Sequence, residues 1–380
     1  MEQYPLINWI DGMKINKDFF IAMENAMIER INHSRAIQLN RMCYGLLPVS
    51  SAEIKRPDIN LQLSSKNTIL LRINELRAVT LGGVSIDIKE SDNSVLELSY
   101  TLIEDLSVDR SFMIVLSVDP YSRVAIGSAD PKEEPPRQPF VRNEYKLNLV
   151  PYANMNEDMY LGDFHLPIGK VDVLAGIPKL DNKYIPPCVG LTSHPDISAY
   201  HQECDKLLID LEDYCITIIN KIHMKRQKNQ LAEIVFDLCN NILVYLTPSI
   251  PHIKRSMALA SPVELIEVIA GLGRTVKGLI DTRHNCGKEE LLNYFTDWCD
   301  LNQVRFETTV STVTSQPYNH CNVAPAFRVG TDLIRLLTDL FSKLSELDYI
   351  GDQQDADVFV KEEDEDEKGR KKRRFFKSNN

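Results

Sequence analysis

The sequence has no apolar run of the roughly 18 or more residues that a membrane-spanning helix needs, and no Arg/Lys-flanked apolar stretch at its start. Neither a membrane span nor a signal peptide is predicted, and a cytoplasmic location is the expectation. The chain also lacks any C-x-x-C pair, its eight cysteines standing apart at positions 43, 188, 204, 215, 239, 286, 299 and 321. In the cytoplasm such scattered thiols read as small buried apolar side chains, not as a disulfide framework. There is no cationic excess either. A net charge of -11 favours solubility and excludes a chain-wide electrostatic grip on nucleic acid or anionic lipid.

What is present is an ordinary apolar fraction, 43% of 380 residues, enough for two or three domains with real cores. The periodicity changes at Pro186-Pro187. Before that pair lie short segments of strand character: Leu61 and Leu63, Ile69 to Val79, Val84 to Ile88, Val95 to Leu98, Phe112 to Val118, Tyr145 to Val150 and Phe164 to Val173. Several alternate apolar with polar and are punctuated by Gly82-Gly83, Asp92-Asn93 and Asp119-Pro120, the signature of an all-β sandwich. Pro131, Pro135, Pro136 and Pro139 cannot lie in a central strand, since proline donates no ladder hydrogen bond, and are assigned to an exposed loop. Ahead of the strands, Phe20 to Gln38 reads as one helix with Met23, Met27, Ile31 and Arg35 on one side.

Beyond the double proline the period is helical. Cys204, Leu208, Leu211, Cys215, Ile218 and Ile222 recur at alternating steps of four and three, as do Leu231, Val235, Leu238 and Ile242 and then Leu265, Ile269, Leu272, Val276 and Leu279. Seams of this kind predict long helices packed nearly antiparallel, as a bundle core or as a contact between subunits. Ser261, Pro262 and Glu264 predict a capping box at the start of the third helix. A fourth helix is expected after Gly287 with Leu291, Phe295 and Trp298 inward. A fifth is expected from about Thr331-Asp332, with Leu333, Leu336, Leu340, Leu344 and Leu347 on one face.

Four separated segments carry a family pattern: Trp9-Ile10-Asp11-Gly12-Met13-Lys14-Ile15, Tyr44-Gly45-Leu46, Tyr184-Ile185-Pro186-Pro187-Cys188, and Ser261 to Leu265 followed by Ala270-Gly271-Leu272-Gly273. In these the chain resembles the TssK family, baseplate subunits of the type VI secretion system. That family opens with W-x-E-G-x-x-L-x-P-Q-H-F; Trp9, Asp11, Gly12, Ile15 and Phe20 match it, while Lys17-Asp18-Phe19 replaces P-Q-H. The resemblance runs to about residue 310, after which the chain looks shorter and different.

The resemblance implies an α+β multidomain protein built of an arm (1–18), a β-sandwich like the shoulder of phage receptor-binding proteins (19–185), an antiparallel helical bundle as a neck (186–315), a C-terminal helical module (316–360) and a charged tail (361–380). It implies a homotrimer that links TssF-like and TssG-like wedge proteins to the envelope-anchored secretion complex, with no catalytic residue, cofactor, metal or small-molecule substrate. Leu6, Ile7, Trp9, Ile10, Gly12, Met13 and Ile15 are then candidates for the wedge interface. Cys204, Leu208, Leu211, Cys215, Ile218 and Ile222 are candidates for the bundle or trimer core. Pro186-Pro187 reads as a stiff linker that stops the sheet and starts a helix.

Chemistry-bearing alternatives are thin. Gly271-Leu272-Gly273-Arg274-Thr275 lacks phosphate-loop spacing and sits in a helical pattern, where its glycines permit close packing. His201 with Cys204, His320 with Cys321 and Asp163 with His165 lack the further ligands or nucleophile that a zinc or hydrolytic site needs. A phage-like tail protein would share the β-rich trimer, but this chain ends in helix and charge. The tail offers a nucleic-acid reading through Lys368-Gly369-Arg370-Lys371-Lys372-Arg373-Arg374, opposed by the adjacent acidic block Glu362 to Glu367. Such dense charge cannot bury apolar surface and predicts disorder, yet Phe375-Phe376 comes directly after the cations and is the candidate element for docking to the membrane complex.

Overall fold

A computed structural model describes residues 4–48, 54–64, 68–90, 95–101, 109–152, 161–284 and 286–351. The fold is α+β: among the described residues there are two antiparallel sheets and seven α-helices. The chain divides into two compact units, one of residues 1–201 with 256–265 and 317–327, the other of 202–255, 266–316 and 328 onward.

The first unit opens with α1 (Lys17–Ala36), whose first turn is capped by the Asn16 side chain accepting from the Asp18 and Phe19 amides. Its first sheet contains β1 (Gly45–Leu46), β2 (Asp58–Ser64), β3 (Thr68–Val79), β4 (Ser85–Ile88) and β5 (Leu96–Thr101). Every other strand of that sheet pairs with β3. Ile69, Leu71 and Ile73 of β3 are buried, and then the parity changes so that Leu76 and Ala78 are buried. The cause is a bulge at Asn74, where Asp58 pairs with Glu75 but Ile59 with Ile73. The extra residue keeps its amide satisfied, donating to Asp58 at 2.9 Å and accepting from Arg72 at 2.9 Å.

The second sheet is ordered β7-β6-β8-β9, with β6 (Arg110–Ile126), β7 (Phe140–Pro151), β8 (His165–Leu174) and β9 (Ile177–Leu180). Phe112 to Leu116 in β6 form an unbroken buried run, as expected of a strand flanked on both edges and covered on both faces. Beyond Asp119, β6 and β7 continue as a hairpin whose connection, 127–139, holds the prolines and is exposed or half-buried throughout, as predicted. All seven predicted strands are present; β1 and β9 are additional.

Most of the helical elements lie in the second unit: α2 (Pro195–Met224) from residue 202, α3 (Gln230–Arg255), α4 (Pro262–Asp281) from 266, α5 (Lys288–Cys299), α6 (Gln303–Ser315) and α7 (Ala324–Glu346) from 328. The predicted apolar seams are buried nearly throughout, with Leu279 half-buried and Ile280 taking its place. Gly271 and Gly273 serve packing: a Cβ on Gly271 would stand 2.1 Å from the Tyr245 hydroxyl, and one on Gly273 3.0 Å from Leu333.

Four details correct the sequence reading. Trp298 is 54% exposed, because Cys299 takes the inward place after Leu291 and Phe295. The last helix starts at Ala324, ahead of Thr331, and Leu347 lies past its end. α6 was not predicted. Finally, the Ser261 hydroxyl donates to the Met42 carbonyl instead of capping α4.

The end of α7 is held by side chains from the α2–α3 turn. Lys221 Nζ donates to the Ser345 carbonyl at 2.6 Å and also to that of Leu347, and Asn229 donates to the Ile350 carbonyl at 2.9 Å. The Ile350 amide donates to Gln227 Oε1 at 3.2 Å. Gly351 adopts a φ of 102°, a left-handed conformation that suits glycine, with the Asn229 side chain against it.

Candidate functional site

Three of the four sequence motifs meet at one buried junction in the first unit. Leu46 donates to the Pro187 carbonyl at 2.8 Å, and the Val189 amide returns a bond to Leu46 at 2.9 Å, so Leu46 and Cys188 form an isolated parallel bridge. Gly45 is required there: its φ is 110°, and a Cβ would lie 2.1 Å from the Pro187 carbonyl oxygen. Just beyond, the Leu191 amide donates to the Ala260 carbonyl and the Thr192 hydroxyl to that of Ala258, just ahead of Ser261, which itself reaches Met42. Pro186 and Pro187 are therefore not a bare linker: Tyr184 to Cys188 is buried end to end, and helix α2 begins only at Pro195.

His320 and Cys321 close this junction. His320 Nε2 donates to the Tyr44 carbonyl at 2.9 Å while Nδ1 accepts from the Tyr318 hydroxyl at 2.7 Å. That pattern fits the neutral ring, with the Tyr44 amide at 3.4 Å a weaker alternative for the same nitrogen. Burial depresses the His320 pKa to about 4 against its usual 6.5, with the Tyr44 backbone bond opposing. The Tyr44 hydroxyl lies 3.4 Å from Cys321 Sγ, and the Tyr184 hydroxyl donates to the Cys321 carbonyl at 2.6 Å. Desolvation raises the pKa of Tyr44, Tyr184, Cys188 and Cys321 alike, so the groups stay protonated and unreactive. The junction is a fastening of neutral groups.

The first motif lies apart from it. Trp9 is 47% exposed and touches Phe19 with ring centroids 6.4 Å apart. Leu6, Ile10 and Ile15 are exposed, and Ile7 and Met13 half-buried. Gly12 has a φ of 79° in open space, which turns the chain where the Met13 amide bonds to Ile10. The arm is fastened upstream, where the Tyr4 amide donates to Glu29 at 2.7 Å and the Tyr4 and Tyr121 rings lie 4.2 Å apart. On α1, Phe20, Met27 and Ile31 are exposed too, so the stripe predicted there faces outward while Ala26 and Asn32 are buried.

The six seam residues Cys204, Leu208, Leu211, Cys215, Ile218 and Ile222 are each no more than 6% exposed within a single chain. Burial lifts the Cys204 thiol to about 12. Phe375 and Phe376 lie outside the described residues. Among the described residues no group of three or more His, Cys, Asp or Glu is placed to hold a metal ion.

No family model and no curated protein matches the sequence. Solved structures do. A chain of the TssK–TssF–TssG baseplate subcomplex of the type VI secretion system aligns with a TM-score of 0.50 at 16% identity, covering 90% of this chain and 99% of its own. A chain of the baseplate complex from the type VI secretion system gives 0.49 at 16%, covering 89% and 100%. A crystal structure of TssK gives 0.48 at 12%, covering 88% and 69%. At such identities the likeness speaks for architecture, and the chain has the TssK fold.

Proposed function

We propose that this protein is a structural subunit of a type VI secretion baseplate, acting as a connector and not as an enzyme. The observation that carries the reading is a likeness to the baseplate subcomplex chain that covers 90% of this chain and 99% of that one. In this reading the two sheets form a sandwich-like shoulder and the helices a neck, and three copies associate about a common axis. TssF-like and TssG-like proteins bind the β-rich end through the arm, with Trp9 and its exposed neighbours as anchors, because large aromatic side chains dominate interface energetics. The other end meets the envelope-anchored complex at the cytoplasmic face of the inner membrane, with Phe375 and Phe376 as the docking pair. The neutral, buried character of the junction's titratable groups supports a scaffold in preference to a catalyst.

The test is co-purification of the tagged chain from its own cells, with light scattering on the pure protein. TssF-like and TssG-like proteins should accompany it, and the pure chain should scatter as three times 43.4 kDa. A monomer across the micromolar range, without either wedge protein, would overturn the reading.

A further inference from the structure

Between Asp213 and Glu233 the sequence carries four cations, Lys221, Lys225, Arg226 and Lys228, and no carboxylate, in a chain whose net charge is -11. Lys221 and Lys225 are engaged at the end of α7, donating to the carbonyls of Ser345, Leu347 and Asp348. Arg226 and Lys228 are exposed, and neither is ion-paired with a described residue.

These two cations line a groove of about 420 Å³ in the second unit, at the turn between α2 and α3. Its size falls within the roughly 300–1,000 Å³ of ligand pockets. Ile222 and Phe236 give it an apolar wall, with the His223 ring edge-on to Phe236 at 5.3 Å. Two carboxylates line it as well. Asp237 is already paired with Arg283 at 2.6 Å, so Glu233 alone stands against Arg226 and Lys228, and the groove is left cationic. Gln227, also in the lining, is 8% exposed; its Oε1 accepts from the Ile350 amide, while its Nε2 has no hydrogen-bond partner. Buried donors are seldom left in that condition, and this one calls for an acceptor.

We propose that the groove binds an acidic peptide of a partner protein, in which a large apolar side chain is flanked by Asp or Glu. The apolar side chain packs on Phe236 and Ile222, the flanking carboxylates pair with Arg226 and Lys228, and a carbonyl of the peptide accepts from Gln227 Nε2. A peptide carries all three groups on adjacent residues, which is what a small concave site with an apolar wall, unpaired cations and a spare donor demands. An anionic bilayer meets these demands less well, since its headgroups offer no apolar group at that depth and the chain's net charge opposes its approach.

The test is fluorescence anisotropy of the full chain with a labelled, end-capped peptide of sequence Glu-Asp-Glu-Phe-Leu-Glu-Asp-Glu. Binding should saturate at micromolar protein and weaken at least tenfold in Arg226→Glu and in Lys228→Glu, exposed positions where the change leaves the thermal melt in place. A peptide with Ser for both Phe and Leu should weaken by a similar factor, because charge alone leaves the apolar wall unfilled. Affinity unchanged in both variants, or undiminished for the Ser peptide, would overturn the proposal, as would the absence of saturation at millimolar protein. So would phosphatidylglycerol vesicles that bind the wild-type chain and not the two variants while the peptide binds neither, which would assign these cations to a lipid surface.

Discussion

His320 and Tyr44, 276 residues apart in the chain, are joined by a hydrogen bond from the imidazole Nε2 to the Tyr44 carbonyl. The bond holds the C-terminal end of the first unit to the strand that starts its first sheet, and it uses a histidine kept neutral by burial. Protonation of that ring on acidification would work against the fold.

The pH dependence has a definite sign. His320 and His194 each have a folded pKa of about 4 against 6.5, desolvation being the main cause for both. Between those values the unfolded chain binds protons that the folded chain does not, so stability is present above about pH 6.5 and is lost as pH falls toward 4. For His320 the loss is on the order of 3 kcal/mol. Urea denaturation at pH 7 and pH 4.5 should show it, and His320→Gln, though weaker at pH 7, should lose less on acidification. An equal acid loss in the variant would assign the effect to other groups.

Two glycines with positive φ should respond differently to substitution. Gly45→Val sets a branched side chain against the Pro187 carbonyl and should cost about 3 kcal/mol or more. Gly12→Ala carries backbone strain alone, nothing lying within 4 Å, and should cost about 1 kcal/mol. Thermal melting of both variants compares them; equal shifts would contradict the close approach at Gly45.

Leu211→Asp and Ile218→Asp place an unpaired carboxylate where the native side chains are fully buried. Each should cost several kcal/mol, comparable to a domain's whole stability. Circular dichroism should record a lost or strongly lowered helical transition, and a native-like melt would mean that the seam opens to solvent.

Trp9→Ala removes a half-exposed ring whose described aromatic partner is Phe19. Stability should change by about 1 kcal/mol or less, while capture of the wedge proteins falls at least tenfold. A large drop in melting temperature with normal capture would make Trp9 a packing residue.

Much of this fold was legible because its elements repeat their apolar residues locally. β3 alternates and α2 keeps a seam from Cys204 to Ile222, so periodicity found both. α6 escaped notice because Thr and Ser dominate Gln303–Ser315 and only Phe306 and Val310 are buried, too few to make a stripe. β1 is two residues long and exists through pairing with Val79, Ala78 and Pro187, all distant in sequence. The outward face of α1 was illegible for another reason: Met23, Met27 and Ile31 make the same stripe whether they face a core or a partner. Of the candidate site, the motifs were visible, but their convergence with His320 was not, since no local pattern reports a contact across 276 residues.

The fastening of Ile350 and Gly351 decides how a load applied at the end of α7 would be shared. Tension drawn through the C-terminal segment does not reach the last turn of α7 alone. It is shared at once by Lys221 in the last turn of α2 and by Gln227 and Asn229 in the turn between α2 and α3. These bonds would have to break together and not in succession, so the load enters the bundle as shear across several elements instead of unwinding one helix from its tip.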